Sequence, residues 1–91
     1  MSALVTFEFL TAEAAAAFWR ASEVPATMPG SWFVEVECRT TDELAQARES
    51  ARALLGTPQS ARLAWDGGWA VVRPEAAEAL VRVGERKAGG S

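Results

Sequence analysis

Residues 3–9 and 32–39 each alternate apolar with polar side chains and then pass through a threonine into helix-forming sequence. In the first, Val5, Phe7 and Phe9 alternate with Thr6 and Glu8. A period of two places each set on one face of an extended strand, so this segment predicts a strand with one buried side. Thr11 then stands as N-cap of a helix to about Ala21, with Glu13 in the favourable first turn and Ala15, Phe18 and Trp19 as its apolar stripe. In the second, Val34, Val36 and Cys38 share one side while Phe33, Glu35, Glu37 and Arg39 share the other. Thr40-Thr41-Asp42-Glu43 has capping-box spacing, and the helix it opens turns Leu44, Ala47, Ala51, Leu54 and Leu55 inward until Gly56 and Pro58 stop it. Two βα units, starting 29 residues apart, restrict the chain to an α/β architecture.

Between the units, residues 22–31 hold two prolines and a glycine, which predicts a loop of about ten residues. After the second helix, Ala61–Trp65 and Trp69–Arg73 flank Asp66-Gly67-Gly68, whose glycines supply the positive φ of a tight hairpin. Pro74 opens a last helix, with Ala77, Leu80, Val81 and Gly84 inward to about Arg86 and Glu78 and Arg82 forming an i,i+4 pair outside. The expected order is β-α-β-α-β-β-α. Its natural packing is a two-layer α/β sandwich, a four-stranded mixed sheet with the helices on one face, because Glu8, Glu35 and Glu37 need water on the other. Residues 1–86 read as a single domain and 87–91 as a flexible tail.

Several chemistries lack their equipment. With no His, no Tyr and one Cys, the chain cannot assemble a Ser-His-Asp or Cys-His nucleophile system or a Cys/His zinc site. No metal, cofactor or catalytic residue is expected, and the chain reads as a non-enzyme. Cys38, on the apolar side of its strand, reads as a buried inert thiol with no intramolecular partner for a disulfide. Clustering of Glu8, Glu35 and Glu37 offers the one route to acid–base chemistry, a weak one, since carboxylates on an open sheet stay solvated.

No basic leader or bilayer-length apolar run is visible, so a soluble, cytoplasmic protein is expected. A single Lys against eight Arg suggests a GC-rich coding sequence of bacterial or phage source. Net charge is −3, with seven acids and two bases in residues 1–45, which disfavours membrane surfaces and nucleic acid. RNA binding on the sheet would have Phe33 as its main stacking ring, on an acidic face.

Four tryptophans are many for so small a core. Most are expected inside or in a cross-strand pair at the hairpin turn, with Trp69 or Trp32 the ones to be exposed. Met28, between prolines, would give the first loop an adaptable apolar tip. The expected function is a small acidic protein-binding module that occupies, and in one form inhibits, a partner protein with a basic surface; phage anti-defence proteins of the anti-CRISPR kind act in this way. Its contact residues would be Glu8, Met28, Trp32, Phe33, Glu35, Glu37 and Trp69. The alternative is a non-catalytic ligand-binding or regulatory domain that forms a homodimer through its sheet or hairpin edge.

Overall fold

The computed structural model describes residues 1–89, with side chains through Arg86. The elements are β1 (Ser2–Glu8), α1 (Ala12–Ala21), β2 (Ala26–Gly30), β3 (Phe33–Cys38), α2 (Thr41–Ala53), β4 (Thr57–Trp65), β5 (Gly68–Val72) and α3 (Pro74–Gly89). The strands form one sheet in the order β2-β3-β1-β4-β5, with every neighbouring pair antiparallel.

The α+β class holds, but the sheet has five antiparallel strands where four mixed ones were expected. The extra strand is β2, inside the proline-rich segment that reads as a loop. Ala26, Thr27 and Gly30 face Val36, Glu35 and Phe33 across a register shift. Pro29 is compatible with this strand because β2 lies at the edge, where one side of the backbone owes no ladder hydrogen bond. Inserting β2 also reverses the chain once more, so β3 runs antiparallel to β1 and the expected mixed sheet does not arise. Over β1–β4 the connectivity is β-α-β-β-α-β, the ferredoxin-like arrangement, to which β5 and α3 are appended.

The helices sit on one face. Ala3, Val5, Phe7, Val34, Val36, Cys38, Ala61 and Leu63 from the sheet join Ala15 and Phe18 of α1, Leu44, Ala47 and Ala51 of α2, and Ala77 and Val81 of α3 in one buried cluster. Phe18 packs between Phe7 of β1, 5.5 Å away in an edge-on contact, and Phe9 just past the strand end, 5.1 Å away. Aromatic pairs in this geometry add about 0.5–1.5 kcal/mol to what burial contributes. Small residues let the helices approach: Ala15, Ala47, Ala51 and Ala77 are all buried at the interface.

Both threonine caps form. Thr11 Oγ1 accepts from the Ala14 amide at 3.1 Å, and Thr40 Oγ1 accepts from the Glu43 amide at 3.1 Å. Glu43 returns a carboxylate oxygen to the Arg39 amide at 2.8 Å, one residue earlier than a standard capping box, and so ties the end of β3 to the start of α2. The end of α2 differs from expectation. The left-handed residue is Leu55 (φ 61°), not Gly56. Gly56 N–H donates to Ala51 O at 2.7 Å and Leu55 N–H to Arg52 O at 3.0 Å, a Schellman termination with leucine where glycine is usual. Gly56 answers a different demand, since a Cβ there would lie 2.4 Å from the Phe9 ring.

At the hairpin, only Gly67 takes a positive φ (98°). In α3, Glu78 accepts from Arg82 at 3.1 Å as expected and also from Arg48 of α2 at 2.9 Å, while Arg48 donates a second bond to Pro74 O at 3.1 Å. Residues 87–89 continue α3 as helix where a frayed tail was expected. The rest of that expected tail, residues 90–91, lies outside the described residues.

Candidate functional site

The sheet face away from the helices carries Leu4, Thr6 and Glu8 of β1, Phe33, Glu35 and Glu37 of β3, Arg62 of β4, and Trp69 and Val71 of β5. Register fixes their neighbours: Glu8 stands opposite Phe33, Thr6 opposite Glu35 and Leu4 opposite Glu37. Arg62 stands between Leu4 on one side and Val71 on the other.

Arg62 organises this surface. Its Nη2 donates to Glu35 Oε2 at 2.9 Å, reaching across β1, while its guanidinium carbon lies 5.6 Å from the centre of the Trp69 ring. One cation therefore links β3, β4 and β5 on the open side. A solvent-accessible ion pair contributes about 0.2–1 kcal/mol and an exposed cation–π contact about 0.5–1 kcal/mol, so together they orient these side chains more than they stabilise the fold. At the other end of the face, Gln59 Nε2 donates to Glu8 Oε1 at 2.6 Å. Gln59 is positioned for this by the register shift between Thr6 and Phe7, which leaves it as the extra residue between Ser60 and Pro58.

All four tryptophans are between 45 and 62% exposed, against the expectation that most lie in the core or pair across the hairpin turn, where Trp65 instead faces Gly68 and Trp69 faces Ala64. Trp65 and Trp69 flank the hairpin turn at the β5 edge; Trp32 is in the β2–β3 turn, and Trp19 on α1 donates its indole N–H to Ala26 O at 3.1 Å. The buried cluster is built instead from phenylalanine, valine, leucine and alanine, with the phenylalanines alone supplying its large rings. Met28 also departs from its expected role: it is half-buried and packs against the core from β2, so it is not a free loop tip.

The proposed contact residues do not converge on one spot. Glu8, Phe33 and Trp32 lie toward the end where β1 runs out, and Trp32 O accepts from the Phe9 amide at 2.8 Å. Trp69 lies toward the opposite end, across from Ala64, which in turn faces Ser2. Glu35 and Glu37 lie between. A shallow groove of about 320 Å³ borders that second end, lined by Met1, Glu37, Arg39, Trp65 and Asp66. Sequence reasoning missed Val71, which is 71% exposed beside Trp69; carrying the Arg62–Trp69 alternation through the hairpin register would have found it.

Cys38 is fully enclosed. Burial, followed by the nearby Glu43 and Glu37 carboxylates, pushes its thiol pKa up to about 11. A neutral, enclosed thiol is a poor nucleophile. Among the described residues no cluster of three or more His, Cys, Asp or Glu is placed to hold a metal ion, and no helix is long and apolar enough to cross a membrane. Comparison with protein-family models, curated proteins and solved structures finds no match.

Proposed function

We propose that this protein acts by binding another protein through the open face of its sheet. The observation that carries this reading is the exposure of Trp69 on that face and of Trp32 in the turn at its end, in a domain whose core is filled without tryptophan. An exposed indole leaves a large apolar area in water, and tryptophan is enriched among the anchors of protein interfaces because it buries that area while keeping one donor. Of the four indoles Trp69 stands on this face and Trp32 in the turn at its end, while Trp19 on α1 and Trp65 lie on the helix side. On the face itself Phe33 and Trp69 are separated by Glu35 and Arg62, and Glu8 and Glu37 stand to either side. A partner presenting arginine or lysine toward Glu8 and Glu37 and apolar side chains toward Phe33 and Trp69 fits this pattern. The net charge of −3 favours approach of such a basic surface. Inhibition follows wherever the covered surface is the one the partner needs for its own ligand.

The test is affinity purification from the native host of the wild-type chain and of two variants altered only on the face, Phe33→Ala and Glu37→Lys, each checked for native circular dichroism. A stoichiometric partner held by the wild type and lost by the variants supports the reading. A wild-type chain that emerges with no partner ends it, and equal retention by both variants removes the open face as the binding surface.

A further inference from the structure

The two edges of the sheet are treated differently. The β2 edge carries Pro29, follows Pro25 and shifts register against β3, devices that keep a further strand from adding. The β5 edge, Gly68-Trp69-Ala70-Val71-Val72, has none of them: no proline, no charge and regular pairing with β4 along its whole length. It also exposes Trp69 and Val71 on the open side. An unguarded apolar edge of this kind accepts another strand, and the composition around it specifies which one.

We propose that β5 pairs antiparallel with β5 of a second copy of this chain, joining two sheets into one of ten strands about a two-fold axis at Ala70. Centring on Ala70 aligns all five residues of each strand. Trp69 then faces Val71 of the second copy, twice by symmetry, an aromatic to β-branched pairing of the kind that stabilises antiparallel ladders. On the helix side Ala70 opposes Ala70, and Val72 opposes Gly68, against which the Trp65 ring of its own chain lies. The flanks are complementary in charge. Arg73 follows β5 and comes opposite Gly67 of the second copy, next to its Asp66. Among the described residues neither Asp66 nor Arg73 has an ionic partner within its own chain. Moving the axis to Trp69 or Val71 leaves strand residues unpaired, and moving it to Val71 also carries Arg73 away from Asp66. The inference rests on the backbone edge of β5, where the proposed function uses the sheet face, and the two have Trp69 in common.

The register is tested by charge exchange, read as the dimer dissociation constant by analytical ultracentrifugation at low salt. The wild type is expected to be a dimer at micromolar concentration. Arg73→Asp and Asp66→Arg each weaken it about tenfold, since both symmetric contacts turn from attraction to repulsion, and the double exchange restores it. Val71→Lys, at a position already in water, gives a folded monomer. A wild-type monomer throughout the micromolar range overturns the proposal, as does a dimer unaffected by Val71→Lys. Single exchanges that the double exchange fails to rescue, with all variants folded by circular dichroism, overturn this pairing.

Discussion

Glu85 of α3 grips the first residue of α2: Thr41 donates both its backbone N–H and its hydroxyl to the two carboxylate oxygens, the latter at 2.6 Å. With the Arg48–Glu78 pair at the other end of the contact, α2 and α3 are held together by polar clamps at both ends of their shared face. The Glu85 carboxylate also faces the positive end of the α2 dipole.

The Glu85 contact makes acid stability pH-dependent. Hydrogen bonds from Thr41 hold the Glu85 pKa below its ordinary 4.5. A depressed carboxylate contributes stability above its unfolded pKa and loses it as pH falls through the folded value, because the unfolded state binds more protons there. Glu85→Gln is therefore expected to lower stability at neutral pH and to flatten the acid limb below pH 4.5, measured by urea unfolding across a pH series.

Cys38 predicts the opposite limb. With its pKa raised to about 11, the native thiol stays protonated where the unfolded one ionises, so stability falls as pH rises from 9 toward 11. A thiol reagent at pH 8 is expected to react at the rate of opening, not of bimolecular attack. Cys38→Ala should remove the alkaline slope at a cost of about 1 kcal/mol in packing.

Leu55 and Gly56 make a matched pair of substitutions. Leu55 is 67% exposed and left-handed, so Leu55→Gly relieves backbone strain and is expected to stabilise by about 0.5–1 kcal/mol. Gly56→Ala drives a Cβ into the Phe9 ring and is expected to destabilise by about 1–3 kcal/mol. Thermal unfolding should move in opposite directions for the two.

Arg62→Met removes the ion pair to Glu35 and the contact with Trp69 together. The expected loss is about 1 kcal/mol, with increased acrylamide quenching of tryptophan emission as the Trp69 ring is released. Arg62→Lys keeps the charge but not the planar stacking surface, so it should recover only part of both effects.

Much of the fold was legible in the chain. The alternation in Val5-Thr6-Phe7-Glu8 and Val34-Glu35-Val36-Glu37 named the buried faces because side-chain direction in a strand is set by parity alone. Thr11, Thr40 and Pro74 marked helix starts because capping is decided within one turn. Asp66-Gly67 marked the hairpin for the same local reason. The open face was legible in its members but not in its wiring: that Arg62 would reach Glu35 depended on β1 lying between β3 and β4.

What the sequence determined by itself are the properties held within a few residues: strand faces, caps, turns, and the lack of His, Tyr and a second Cys. The tertiary structure alone decided that Ala26–Gly30 is a strand, because its hydrogen bonds are supplied by β3 and not by its own weak propensity. It alone decided that position 56 must be glycine, because Phe9, 47 residues away, occupies the space a Cβ there would fill. The exposure of the tryptophans has the same origin. An indole carries no local signal of whether another layer will cover it, and that is settled only when the layers meet.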